Sequence, residues 1–294
     1  MLLSLFGCAL SLGSLAQDTC EVLPLNEIEV VQEMKFREIL PAQKLEGASL
    51  DRLSVFSVAD VLHQFAGLQV KDYGGIGGIK TINVRSMGSQ HTGIYYDGIQ
   101  LGNAQNGQID LGQLSMEHLE SVSVYHGQRS AIFQTASDFG HAGSVYLRTR
   151  VPIFNNSEKH HLRVKAQYGS SDLVRLSGVW EQQLSQRLSL SIHGEGLSAS
   201  GRYPFRYRRL NYDHSVAYDI TATRQNGDVQ SLLTEANLYG RLDDGHWSLK
   251  AYTYQSKRGI PGAIVNNVWR RGERQCDGNT FVQGQWQRDL NERY

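Results

Sequence analysis

Ten histidines are spread over the 294 residues, and none stands at a spacing that would make a metal-ligand set. His160-His161 opens a strand-like run but has no further ligand at metal-type spacing. Gly74-Gly75-Ile76-Gly77-Gly78 is rich in glycine, yet no Lys-Ser/Thr follows and no helix opens there, so it is not a phosphate loop. Nucleophile-elbow and zinc-helix motifs are missing. Asp213, Asp219 and Asp228 lie in one loop-like stretch without the Asp/Asn ladder of a calcium loop. Cys8, Cys20 and Cys276 are isolated and make neither a disulfide framework nor a metal motif. The expectation is therefore no catalytic residue, no metal and no cofactor. What remains is recognition. Glu27, Ile28, Glu29, Val30 and Val31 form a short alternating run that could add as a strand to a partner's sheet edge through main-chain hydrogen bonds. Ser200 to Arg209 is basic and aromatic, which in isolation suits base stacking. With 29 basic and 29 acidic side chains, however, the whole chain has no electrostatic case for nucleic acid.

The N-terminus carries an address. Leu2 to Leu15 is apolar, and Ser14-Leu15-Ala16 suits cleavage after Ala16, so residues 1–16 are expected to be a signal peptide. No later apolar stretch reaches the length of a membrane-spanning helix. A membrane-embedded form of this chain would have to be a β-barrel, because only helices and closed barrels satisfy their backbone groups in lipid.

The elements that must position these residues fall into two regimes. Residues 17–57 are expected to be a lead-in without strong periodicity, and residues 58–150 a compact unit. In the latter, Val58, Val61, Leu62 and Phe65 recur at helical spacing before Gly67. Gln69–Asp72, Lys80–Arg85, Gly93–Tyr96 and Leu119–Tyr125 are extended, and Asp97-Gly98 signals a tight hairpin. From His160 on, six runs alternate between an apolar and a polar face: 160–168, 174–180, 188–195, 232–242, 247–255 and 280–287. A soluble sheet also alternates, so periodicity alone leaves both readings open. Connection lengths favour the barrel. The joints at 200–229 and 259–278 are long and fall on one side, whereas 182–187 and 243–245 are short and fall on the other.

The order of the compact unit resembles the plug domain of TonB-dependent outer-membrane receptors. Ile82-Asn83-Val84-Arg85-Ser86 is similar to that family's Ile-x-Ile-Arg-Gly segment, with Ser for the usual Gly. Tyr95-Tyr96-Asp97-Gly98-Ile99 is similar to its Leu-Ile-Asp-Gly-Val, and Leu119-Glu120-Ser121-Val122-Ser123-Val124 to its Ile-Glu-Arg-Ile-Glu-Val. Gly127 to Gln134 and Ala142 to Leu147 stand where further family segments occur. Arg258-Gly259-Ile260-Pro261-Gly262 resembles a segment of cobalamin-receptor-like members.

The resemblance implies an α+β plug domain followed by an incomplete transmembrane antiparallel β-barrel. Residues 160–294 would be its first six strands, where the family's barrel has roughly 22. It also implies an outer-membrane receptor importing a scarce large nutrient, a corrinoid first and an iron siderophore or haem second. Glu27–Val31 would be the box gripped by a TonB-type inner-membrane energy coupler. Arg85 and Glu120 would be plug charges paired with lumen-facing charges or with each other. Ser89, Gln90, His91, Thr92, Tyr203, Arg206, Tyr207 and Arg258 would face the ligand. Outer-membrane lipid and a surface lipoprotein complete the implied partners, and nucleic acid is not among them. A secreted β-rich adhesin or binding protein without transport is the alternative of another class.

Overall fold

The computed structural model describes residues 43–53, 55, 57–102, 107–127, 136–155, 158–262 and 272–288. The signal-like segment, residues Glu27–Val31 and the family-like stretch after Gly127 lie outside the described residues. The first elements are β1 (Gln43–Glu46), α1 (Ala48–Asp51) and α2 (Val58–Leu62). β2 (Leu68–Tyr73), β3 (Ile79–Val84), β4 (Thr92–Tyr96), β5 (Ile99–Gln100), β6 (Leu119–Tyr125) and β7 (Gly143–Thr149) follow. The plug sheet has the order β1-β6-β7-β4-β5, with β4 and β7 parallel and the other pairs antiparallel. β2 and β3 form a separate hairpin. The boundary expected at residue 58 therefore moves toward the N-terminus, because β1 pairs with β6 as the edge strand of the plug sheet. Gln43-Lys44-Leu45-Glu46 holds a single apolar residue, so no alternation marks it as a strand.

α2 is short, and its start is fixed locally. The Asp60 carboxylate accepts hydrogen bonds from the Ser57 N–H and hydroxyl, each at 3.0 Å, in a capping box. Its other oxygen takes the Lys80 ammonium at 2.8 Å. Burial pushes the Asp60 pKa up, but Lys80 and Ser57 together hold it below the ordinary aspartate value. Val58, Ala59, Val61 and Leu62 are buried against Ile82, Val122, Val124, Val145 and Leu147. Leu233, Tyr252 and Tyr254 of the later strands belong to the same core.

The second part is a six-stranded antiparallel sheet of order β15-β14-β13-β10-β9-β8. Its strands are β8 (His160–Gly169), β9 (Leu173–Ser185), β10 (Leu188–Ala199), β13 (Val229–Leu242), β14 (Gly245–Gly259) and β15 (Arg274–Arg288). Burial is inverted relative to a soluble sheet. Leu162, Val164 and Tyr168 are 67%, 72% and 78% exposed, while Arg175, Glu235 and Lys250 are 1%, 0% and 4% exposed. Apolar side chains outside and charges inside are what a barrel wall facing hydrocarbon requires. None of the described helices is long and apolar enough to cross a membrane.

All six strands run past their expected bounds, and the stretch read as a 200–229 loop contains the hairpin β11 (Pro204–Leu210) and β12 (Val216–Thr223). Where neither face has to be apolar a ladder can continue without alternation in its side chains, so periodicity underestimates its length.

Candidate functional site

The charges on the inner face of the wall meet the plug in a buried polar seam. Glu235 on β13 accepts from the Tyr96 hydroxyl at 2.8 Å, Lys250 Nζ at 2.9 Å and Asn237 Nδ2 at 2.8 Å. His118 Nε2 lies 2.9 Å from its carboxylate. Lys250 on β14 also reaches Asp97 Oδ2 at 2.7 Å and Thr149 Oγ1 at 2.6 Å, and sits 3.4 Å from the centre of the Tyr96 ring. Asp97 in turn takes the Thr149 N–H and hydroxyl, each at 2.7 Å. Asp97 and Gly98 have φ of 47° and 82°, the tight turn the sequence signals, and that turn presents the carboxylate at the end of β4. Buried charges are costly alone and tolerable only when paired and hydrogen-bonded, as here. Burial, followed by the charges of Glu235 and Asp97, holds the Tyr96 phenol well above its ordinary pKa, so it acts as a donor.

A second knot lies beside the first. Arg175 on β9 is bidentate to Glu195 at 2.8 and 2.6 Å and donates to Gln167 at 2.7 Å. Its guanidinium also reaches Glu117 at 3.4 Å, and Lys165 holds the same carboxylate at 2.9 Å. Ser115 donates to Glu195 at 2.5 Å. The rings of His118 and His193 stack at 4.6 Å and join the two knots. Ser115, Glu117 and His118 come from the short segment before β6, which is the plug's contact strip. Next to it, a cavity of about 460 Å³ separates Leu53, Val55 and Met116 from Arg163, Lys165 and Val179.

The residues expected to hold plug to wall lie elsewhere. Arg85 is exposed, and φ of 47° and 61° at Arg85 and Ser86 turn the chain just past the end of β3. Glu120 is about half exposed and pairs with Arg148 of the neighbouring plug strand at 3.5 Å. Among the described residues neither pairs with the wall or with the other; Tyr96, Asp97, Thr149, Ser115, Glu117 and His118 are among the residues that do meet the wall. Sequence reading marked the wall's inner charges as lumen-facing, but nothing in the spacing marked the contact strip as their partner.

The expected ligand-facing residues do not converge. Ser89–His91 form one 3₁₀ turn, and Thr92 begins β4 at the end opposite Tyr96 and Asp97. Tyr203 precedes the β11–β12 hairpin, where Arg206 pairs with Asp219 at 2.5 Å and the hydroxyls of Tyr207 and Tyr218 meet at 2.9 Å. Arg258 reaches the plug, donating to the Gly77 carbonyl at 2.5 Å and to Gln275 at 2.9 Å. Gly77 has φ +73°, and a Cβ there would sit 2.5 Å from Val229, so only glycine permits this approach. At the same rim Arg224 donates to the Pro261 and Gly262 carbonyls, Asn226 Nδ2 donates to the Ile260 carbonyl at 3.0 Å, and Arg274 pairs with Asp228 at 2.7 Å. Among the described residues no group of three or more His, Cys, Asp or Glu is placed to hold a metal ion.

Residues 37–140 match the family model described as TonB-dependent Receptor Plug Domain. Three solved structures illustrate the likeness of the fold. The ferric-catecholate import receptor Fiu from E. coli K12 matches with a TM-score of 0.58 at 13% identity, over 86% of this chain and 36% of that one. The ferric yersiniabactin uptake receptor FyuA from Yersinia pestis gives 0.54 at 14% identity, over 85% and 39%. The copper transporter OprC gives 0.53 at 14% identity, over 74% and 31%. This chain thus spans between about a third and two fifths of the length of these chains. Residues 37–140 thus match the plug domain of TonB-dependent receptors, and the strands that follow are similar in fold to a section of the wall in these structures.

Proposed function

We propose that this chain provides the plug and opening wall of a TonB-dependent outer-membrane transporter, which binds a scarce nutrient outside and imports it with energy from an inner-membrane coupler. The observation that carries this reading is the seam. A plug held to an inverted wall by charges that are paired and largely buried is a closed gate that needs external work to open, since separating the pairs exposes uncompensated charges to a low-dielectric site. The role of the protein is binding and gating, without covalent chemistry.

The coupler would engage Glu27–Val31 by strand addition. Lipid of the outer membrane surrounds the wall, and a surface lipoprotein is a further candidate partner. The similar receptors are named for copper, ferric-catecholate and ferric-yersiniabactin cargo, so likeness of fold favours no one ligand. A corrinoid and a ferric siderophore fit equally, with haem a third. Ser89, Gln90, His91, Thr92, Tyr203, Arg206 and Tyr207 stay candidates for ligand contact, while Arg258 is better suited to hold the Gly74–Gly78 turn at the rim. The test is Val30→Pro in cells carrying the receptor. Proline removes a donor that strand addition needs. Uptake should be lost while surface binding of labelled corrinoid or ferric chelate persists; unchanged uptake would remove the coupling segment from the proposal.

A further inference from the structure

Three elements of the plug meet at one side chain. The carboxamide of Gln43, the first residue of β1, pairs with both backbone groups of Ala66 in the turn after α2: Ala66 N–H donates to Oε1 at 2.8 Å, and Nε2 donates to the Ala66 carbonyl at 3.0 Å. His126, next after β6, places Nε2 at 2.8 Å from Gln43 Nε2 and 3.0 Å from the same Ala66 carbonyl. Gly67, at φ +77°, makes room, since a Cβ there would stand 3.2 Å from the imidazole.

We propose that Gln43, Ala66 and His126 form a proton-sensitive clasp that sets how firmly β1 is held to the rest of the plug. In this triangle His126 Nε2 can take either of two parts, acceptor from Gln43 or donor to the Ala66 carbonyl. A neutral imidazole protonated on Nδ1 accepts the second N–H of Gln43 at Nε2, and β1 then holds three hydrogen bonds through one carboxamide. An imidazolium has no acceptor. Its Nε2–H turns to the Ala66 carbonyl and faces the Gln43 N–H donor against donor, so a bond passes from β1 to the end of β6. β1 has only four residues paired with β6 along one edge, and losing one bond is a sizeable part of its hold. The charged groups nearby are engaged or set apart. Lys44 and Glu46 pair with each other on β1, and Arg85 meets the turn through its backbone N–H, which donates to the Gly67 carbonyl at 3.1 Å. Neither these nor His63, at the end of α2, forms an ion pair with His126 among the described residues.

The clasp's consequence for import rests on the reading above, in which the segment before β1 leads to the coupler; its effect on β1 does not. Hydrogen exchange of the full chain, followed on peptides covering residues 43–50 and expressed as protection factors, tests it directly. Between pH 8 and pH 5.5, protection of β1 should fall about fivefold, the worth of one hydrogen bond. The β2–β3 hairpin should not change. His126→Gln should abolish the pH dependence, and Gln43→Ala should leave β1 poorly protected at both pH values. Gln43→Glu should reverse the sign, because a carboxylate accepts from the imidazolium. A pH dependence that survives His126→Gln, or equal protection of wild-type β1 at both pH values, would overturn the proposal whatever the outcome of the uptake experiment.

Discussion

Lys250 on the wall touches three plug residues at once, Asp97, Thr149 and Tyr96. It neutralises Glu235 and Asp97 at once and covers the Tyr96 ring. Lys250→Met would leave two carboxylates facing each other in a buried seam, and breaking one partner of such a pair costs about 3–5 kcal/mol. Glu235→Gln alone should cost less, because Asp97 still pairs with the ammonium. The double variant Lys250→Met/Glu235→Gln should recover part of the loss, a coupling of about 1 kcal/mol or more between touching residues. Urea unfolding of the four proteins in micelles gives the cycle, and strict additivity would remove the seam as a cooperative unit. At this scale the sequence was only partly legible. Alternation placed Glu235, Lys250, Arg175 and Glu195 on the inner face, since a period of two fixes which face a residue takes. It did not identify Ser115, Glu117 and His118 as partners, because residues far apart in the chain are paired by packing alone. Arg85 and Glu120 were selected by family pattern, and the turn at Arg85 and the Arg148 pair carry them away from the wall.

Wall strands are the elements most legible in the sequence. One apolar and one polar face impose alternation along most of each run, and the six runs reappear as β8, β9, β10, β13, β14 and β15. The physical cause predicts an asymmetric response on one strand. Val282 is 68% exposed on the outer face of β15, whereas Asn279, three residues away, faces Gln113 of the plug. Val282→Arg should cost about 2–4 kcal/mol if it meets hydrocarbon near the midplane, and should lower the outer-membrane yield of the receptor. Asn279→Arg should be tolerated. Equal yields for the two would contradict the assignment of faces. The choice of inner control matters: Ser191 on β10 has the inward parity too, but it is 2% exposed under the plug, so an arginine there would be overpacked rather than wet. The β11–β12 hairpin went unread because a two-stranded ribbon in water needs no apolar face to bury.

Across the whole molecule, plug and wall share a core. Leu233, Tyr252 and Tyr254 of the wall pack with α2 and the plug sheet, and the Tyr252 hydroxyl donates to the Gln113 carbonyl at 2.6 Å. A piece comprising residues 27–150 should fold, since it has its own helix and sheet, but its core amides should exchange faster than in the full chain. Residues 17–294 expressed alone should not import, because β8 and β15 each have a neighbour on one side only among the described strands, and open edges cannot sit in hydrocarbon. A membrane-inserted, importing monomer of that piece would refute this argument. The sequence by itself determined the two regimes of the chain, the period and facing of the wall strands, the Asp97-Gly98 turn and the α2 start, since each is set by neighbours within a few residues. Only the tertiary structure decided that β1 belongs to the plug sheet, which plug residues meet the wall's charges, and that Arg258 closes on Gly77. These contacts join residues far apart in the chain, and their energies come from burial and pairing that no local pattern records.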